Sequence, residues 1–151
     1  MKSSHFRKNN RLETYNYAQA GIYFITICTV NKECVLGTAQ IVEDCAKISL
    51  SSAGIVVADS IRAMGTEFMT IDDFVVMPNH IHILIILNRA GHHISEIVRY
   101  LKSQVKRTLG RNVFQMGFHD HVIRDETDYL NHREYIANNP VRWALDEYHI
   151  T

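Results

Sequence analysis

Short apolar segments alternate with longer amphipathic segments along the chain. Strands are predicted where Ile, Val, Phe and Tyr cluster, at residues 23–30, 74–77 and 81–87, with a weaker strand near 40–42. Helices are predicted where apolar residues recur at helical spacing, at residues 51–64, 94–109 and 127–139. Pro140 is expected to end the last helix. Because these elements follow no regular βαβ order, the pattern predicts an α+β domain with helices packed on an antiparallel sheet.

The composition is that of one globular domain and excludes several classes of protein. A chain of 151 residues with 46% hydrophobic and 21% charged residues is long enough to form one domain with its own core. No apolar run approaches the ~20 residues that cross a bilayer, and no secretory signal is visible at the N-terminus. We therefore expect a cytoplasmic protein with no membrane association. Its three cysteines are expected to be reduced thiols, and a zinc site on Cys28 and Cys34 is only weakly favoured by their spacing.

Charge is balanced overall but uneven along the chain. The 16 basic and 16 acidic residues argue against a protein that coats nucleic acid through net positive charge. Residues 1–11 are basic and predict a flexible arm, with a terminus of no binding role as the alternative. One face of the helix predicted at 94–109 carries Arg99, Lys102 and Lys106, which we predict to contact DNA phosphates. A solvated face without a partner is the other interpretation.

A pair of histidines stands out in the segment after Pro78. His80 and His82 are two residues apart on a predicted strand, so their side chains lie on the same face. Two neighbouring imidazoles can chelate a divalent cation if at least one further ligand is supplied. The same spacing also occurs in ordinary strand histidines, so the pair alone leaves metal binding open.

The helix predicted at 127–139 places two tyrosines on different faces. Tyr135 lies on a polar face that also carries Asp128, His132 and Asn139, whereas Tyr129 falls on the apolar side and is expected in the core. Asn139 is one turn after Tyr135. An exposed phenol near a metal ion and an amide oxygen could attack a phosphate, because the metal offsets negative charge while the phenol supplies the nucleophile. A surface tyrosine with no role is the alternative.

Taken together, these residues resemble the single-tyrosine HUH transposases, in particular the branch of REP-associated tyrosine transposases. The motif that names the superfamily is two histidines flanking a bulky hydrophobic residue, here His80-Ile81-His82. The resemblance covers most of the chain, in segments 15–29, 31–37, 75–82, 121–126 and 134–145. Segment 114–120 departs from it, because it lacks the Trp-Gln-Arg that many relatives carry there.

The resemblance implies a single HUH transposase-like domain over residues 1–151, with a ferredoxin-like antiparallel sheet and the HUH motif on a central strand. It implies Mg²⁺ or Mn²⁺ held by His80, His82 and Asn139, and Tyr135 as the nucleophile. Arg124, in the segment 121–126, is expected to contact DNA. The implied reaction is cleavage and rejoining of single-stranded DNA beside a hairpin, through a 5′-phosphotyrosine link and a free 3′-hydroxyl. Formation of a homodimer, and whether Tyr135 acts in its own chain or a partner's site, are left open.

Two other functions compete with this interpretation. A catalytically silent or domesticated relative could bind hairpin DNA without cutting it, but such a protein would be expected to have lost His80, His82 or Tyr135. A ferredoxin-like RNA-binding module would use stacking aromatic residues on its central strands. That interpretation leaves the histidine pair and Tyr135 without a role.

Overall fold

The computed structural model describes residues 20–88, 91 and 93–149, and for residues 145–149 only the backbone. The basic arm predicted at residues 1–11 lies outside the described residues. None of the described helices combines the length and apolar character needed to span a membrane.

Six strands and three helices form within the described residues. The strands are β1 (Gly21–Cys28), β2 (Gly37–Val42), β3 (Cys45–Leu50), β4 (Met69–Met77), β5 (His80–Leu87) and β6 (His119–Val122). The helices are α1 (Ser52–Arg62), α2 (Ile94–Leu109) and α3 (Glu126–His149). Every strand and helix predicted from the sequence is present. The sequence pattern missed β3, which has no fully buried residue, and β6, which is only four residues long and carries two histidines and an aspartate.

The fold is α+β with an antiparallel sheet, as predicted. Four strands pair in the order β4-β5-β1-β6, and each neighbouring pair is antiparallel. With α1 and α2 as connections, the chain runs β-α-β-β-α-β through this sheet, which is the ferredoxin-like order. Strands β2 and β3 form a separate hairpin inserted before α1. The HUH motif therefore begins β5, one of the two central strands.

The two faces of the sheet have different partners. Ile81, Ile83 and Ile85 of β5 belong to the main core, which α1 and α2 cover on one face. Leu84 points to the other face, where it packs with Phe24 of β1 and with Ile136 of α3. Because successive residues of a strand alternate between faces, His80 and His82 share the face that α3 covers.

Helix α3 does not end at Pro140, so the prediction of a helix stop there is wrong. The helix runs to His149 with Pro140 in its interior. A proline removes one helical hydrogen bond and crowds the preceding turn, which costs about 3 kcal/mol in an exposed helix. Here buried residues lie on both sides of it, Ile136 before and Ala144 after. Tertiary packing on both sides therefore outweighs the local penalty.

Tyr129 meets its prediction in part. Its ring packs against the cluster around Phe24, as expected of a core residue. Its hydroxyl, however, donates a hydrogen bond of 2.6 Å to Asp72 of β4, and Arg133 donates one to that hydroxyl. Tyr129 thus joins α3 to the edge of the sheet.

Candidate active site and metal centre

Strand pairing places the two histidines side by side in the middle of the sheet. The rings of His80 and His82 are 4.7 Å apart between centroids. Opposite them on β1 lie Cys28 and Thr26, respectively. His82 is buried and its ring stacks on Phe24 at 5.1 Å.

One nitrogen of each imidazole is held by a neighbouring side chain. Nδ1 of His80 lies 2.7 Å from Oδ1 of Asn79, and Nδ1 of His82 lies 2.9 Å from the hydroxyl of Thr26. Such outer hydrogen bonds set the orientation of a metal-binding imidazole. Nε2 of His82 is buried and has no hydrogen-bond partner among the described residues. An orphaned buried nitrogen calls for an explanation, and a metal ion on this atom would supply one.

Asn139 adds a third possible metal ligand to the two histidines. It is buried, and its Nδ2 donates a hydrogen bond of 3.0 Å to the backbone carbonyl of Tyr135. Its amide oxygen is therefore not used by the helix backbone, and it can accept a hydrogen bond from His80 or bind a metal ion. A side-chain hydrogen bond also joins Asn139 to His80, so α3 and β5 meet at these two residues.

The environment keeps both imidazoles neutral. Burial lowers the pKa of His80, and the hydrogen bond to Asn139 offsets part of this effect. Burial lowers the pKa of His82 to about 3, with further lowering by the nearby His80 and His132. Neutral imidazole is the form that binds metal ions. Two neutral imidazoles with one amide oxygen therefore fit a divalent cation that keeps water in its other positions.

Tyr135 lies on the solvent-exposed side of this centre. Its side chain is partly exposed, and its ring lies 5.3 Å from that of His82. The guanidinium of Arg142, two turns later on α3, lies 5.2 Å from the centroid of the tyrosine ring. The phenol is thus placed between the candidate metal ligand and a positive charge, on an exposed helix face as predicted.

The basic residues predicted on α2 are not brought to this centre. Arg99 and Lys106 are exposed on a helix that covers the opposite face of the sheet. Lys102 is half-buried, and its Nζ donates hydrogen bonds of 2.9 and 2.8 Å to the carbonyls of Gln115 and Gly117. It therefore holds the loop in which the sequence departs from the resemblance.

Arg124 lies near the centre, just before α3. Its backbone N–H donates a hydrogen bond of 2.9 Å to Asp128, and its Nε lies 3.7 Å from the same carboxylate. Its side chain is partly exposed. Arg124 is thus the one of the four predicted DNA contacts that lies beside the helix of Tyr135.

A cluster of His121, Asp128 and His132 escaped the sequence analysis. The carboxylate of Asp128 accepts hydrogen bonds of 2.9–3.0 Å from Nε2 of His121, and Nδ1 of His132 lies 2.9 Å from the Asp128 carbonyl and 3.1 Å from its carboxylate. The helical pattern placed Asp128 and His132 beside Tyr135, but the contact with His121 requires β6, which the pattern did not predict.

The cluster has the residue types of a metal site but the ring geometry of a hydrogen-bonded one. Its potential ligand atoms lie within 4.8 Å of one another. The rings of His121 and His132, however, are stacked at 4.6 Å with an interplanar angle of 19°. Since a metal ion lies near the plane of each imidazole that binds it, two rings stacked face to face are poorly arranged to share one ion. In this arrangement both imidazoles are donors to Asp128.

Trp143 is a second residue that the sequence analysis did not single out. Its ring lies 6.1 Å from that of His80, and its Nε1 is buried without a hydrogen-bond partner among the described residues. Its only sequence signal was membership in the segment 134–145.

Known proteins are similar to this chain in sequence and in fold. No protein-family model matches the chain. An uncharacterized protein of Haemophilus influenzae is 34% identical over an alignment 174 positions long, which covers 97% of this chain and 94% of that protein. The REP-associated tyrosine transposase of Escherichia coli is 36% identical over 73 residues, 48% of this chain and 44% of that protein, so the match spans less than half of its length.

A solved structure extends the likeness to the whole fold. A REP-associated tyrosine transposase bound to a REP hairpin superimposes with a TM-score of 0.67 and 24% identity, covering 93% of this chain and 74% of that one. Three observations therefore stand together: partial sequence identity with a named transposase, the shared fold, and the arrangement of His80, His82 and Tyr135 on one face of the sheet. The chain is therefore similar in sequence to a REP-associated tyrosine transposase over about half of its length, and it shares the fold of a protein of that name.

Proposed function

We propose that this protein is a transposase that cleaves and rejoins single-stranded DNA at hairpin-flanked sites. The observation that carries the proposal is the position of Tyr135, whose ring lies 5.3 Å from that of His82, a buried imidazole with an unpartnered Nε2. A metal-assisted attack on phosphate requires a nucleophile and, on the same face, a nitrogen that can bind the metal ion.

The protein's own residues prepare both parts. Thr26 and Asn79 orient the imidazoles of His82 and His80, and these two residues with Asn139 would hold Mg²⁺ or Mn²⁺. Imidazole ligands favour Mn²⁺ over Mg²⁺ at equal concentration. The bound cation would neutralise charge on the oxygens of the scissile phosphate. The guanidinium of Arg142, 5.2 Å from the ring centroid of Tyr135, would add positive charge near the phosphate that the tyrosine attacks.

The proposed step conserves a phosphodiester bond. The phenolic oxygen of Tyr135 attacks phosphorus, and the bond between phosphorus and the 3′-oxygen breaks. The phenol proton passes to solvent, and the 3′-oxygen takes up a proton to leave as a hydroxyl. Since the 5′-phosphotyrosine stores the bond energy, a 3′-hydroxyl can reverse the attack and join strands without a nucleotide cofactor.

The proposed partner is single-stranded or hairpin DNA in the cytoplasm. Arg124 and Arg142 lie on the side of the sheet that carries Tyr135 and would contact phosphates near the reaction. Arg99 and Lys106 lie on the opposite side, and there they would serve a separate stretch of DNA. A protein that binds hairpins without cutting them is disfavoured, because a competent side chain fills each catalytic position.

A label-transfer assay tests the proposal. The protein would be mixed with 3′-labelled single-stranded DNA from the flanks of its own gene, hairpins included, with Mn²⁺ or with EDTA. We expect label to migrate with the protein on a denaturing gel only with Mn²⁺, and His80→Ala to abolish this transfer. Hairpin binding without transfer on every flank would favour the silent DNA-binding protein.

A further inference from the structure

A cleft that Tyr135 and His82 help to line also contains residues that have no role in the chemistry described above. Its volume is about 550 Å³, within the range of ordinary small-molecule sites. Tyr135 and His82 form one end of it. The remaining lining residues are Phe24, Thr26, His119, Asn131 and His132.

Flat rings make up most of the cleft's walls. Phe24 stacks on His82 from within the sheet, and the ring of His132 lies 4.6 Å from Phe24 at an angle of 56°. The ring of Tyr135 lies 6.1 Å from Phe24, edge to face. Aromatic and imidazole faces of this kind stack on nucleobases of any sequence.

A hydrogen bond and ring stacking fix the position of His132 on the side away from the cleft. Its Nδ1 donates to the backbone carbonyl of Asp128, and its ring stacks on His121, which donates to the carboxylate of Asp128. Asp128 also accepts a hydrogen bond from the backbone of Arg124. Because these bonds are already made, the ring of His132 loses little freedom when a ligand stacks on it.

Away from Tyr135 and the proposed metal ligand His82, the lining carries no positive side chain that would favour a phosphate. Among the described residues that line the cleft, none is Lys or Arg. The carboxylate of Asp128 lies directly behind His132, which disfavours an anion further. A neutral planar group suits this lining, and the exposed amide of Asn131 offers both a donor and an acceptor at its rim.

We propose that the cleft binds one unstacked nucleobase of the DNA strand, beside the phosphate that Tyr135 attacks, and that Asn131 hydrogen-bonds to the edge of this base. The inference rests on the proposed function, because the DNA strand must pass Tyr135 for a base to enter. It makes the cleft a specificity pocket, in which the partly exposed rings of His132 and Tyr135 supply stacking and Asn131 supplies selectivity.

Binding measurements with abasic DNA test this pocket without cleavage. Fluorescence anisotropy in EDTA would compare hairpin oligonucleotides from the gene's flanks, each lacking one base. We expect one abasic position to weaken binding by on the order of tenfold. Asn131→Ala should weaken binding of the intact strand and remove the extra penalty at that position. Asn138→Ala, an exposed asparagine of the same helix outside the cleft, should behave as the unchanged protein.

A second pair of variants separates stacking from structural damage. His132→Phe keeps a flat ring, and we expect it to retain the abasic penalty, whereas His132→Ala should lose it. If Asn131→Ala and every abasic position weaken DNA binding additively, the proposal is overturned. The label-transfer assay on the same strands separates failure of the pocket from failure of the cleavage function. Label transfer with purely additive effects of Asn131→Ala and the abasic positions overturns the pocket alone. A non-additive effect at one abasic position without label transfer overturns the cleavage function.

Discussion

Asn139 binds back to the helix turn that carries Tyr135, through a hydrogen bond of 3.0 Å from its Nδ2 to the tyrosine carbonyl. The bond fixes the amide so that its oxygen faces away from the helix backbone, and a further hydrogen bond connects the side chain to His80. The proposed nucleophile and the proposed metal ligand are thus one turn apart on the same helix. A shift of α3 would therefore move both together.

Removal of the Asn139 oxygen should weaken metal binding. We expect Asn139→Ala to raise the Kd for Mn²⁺ by at least about tenfold, by analogy with the loss of a supporting metal contact, and Asn139→Asp to retain binding. Isothermal titration calorimetry with Mn²⁺ measures both, and circular dichroism would establish that both variants are folded. An unchanged Kd in Asn139→Ala would remove this residue from the ligand set.

The metal-free protein should lose stability in mild acid. Burial lowers the pKa of His82 to about 3, whereas the unfolded chain protonates near 6.5. Below pH 6.5 the unfolded state therefore binds more protons, so the free energy of unfolding falls as pH drops from about 6.5 toward 3. For His82 alone the loss between pH 7 and pH 5 is roughly 2 kcal/mol, and His80 adds to it in the same direction.

Urea unfolding in EDTA at the two pH values measures this loss. His82→Gln removes the titrating group and should flatten the pH dependence. Added Mn²⁺ should raise the free energy of unfolding at both pH values, because it binds these nitrogens in the folded protein only. The account of the buried imidazoles fails if the variant and the unchanged protein show the same dependence.

Gly54 should be essential for the position of the histidine strand. An added Cβ at Gly54 would collide with the carbonyl oxygen of Leu36, whose N–H in turn donates a 3.0 Å hydrogen bond to the carbonyl of Pro78, two residues before His80. We expect Gly54→Ala to cost about 3 kcal/mol or more, because backbone atoms cannot move aside as a side chain can. Gly65→Ala meets nothing within 4 Å and should change stability by less than about 1 kcal/mol. Urea unfolding compares them, and equal stabilities would contradict the packing described here.

Lys102 should act on stability rather than as a simple phosphate contact. Its two hydrogen bonds hold the carbonyls of Gln115 and Gly117, so Lys102→Met should lower the free energy of unfolding by about 1–3 kcal/mol. Lys106→Met, on the exposed face of the same helix, should leave it unchanged. Comparable unfolding midpoints in urea would show that the loop does not depend on Lys102.

The sequence predicted the sheet, the helices and the pairing of His80 with His82, because strand alternation and helical spacing are local properties. It did not predict what neighbouring elements supply. Thr26 meets His82 only through the register of β1 with β5, and His121 meets Asp128 only because β6 joins the edge of the sheet. The continuation of α3 past Pro140 likewise depends on tertiary packing. The basic face of α2 was visible in the sequence, but its position opposite the histidines depends on which face of the sheet the helix covers.

The central claim is that Tyr135 forms the covalent link to DNA. After reaction with a single-stranded flank and Mn²⁺, digestion with trypsin and nuclease followed by mass spectrometry would locate the attached nucleotide. The account predicts a nucleotide on the peptide that contains Tyr135, and none after Tyr135→Phe, which should still bind the hairpin and Mn²⁺. A nucleotide on another residue, or an adduct that persists in Tyr135→Phe, would contradict it.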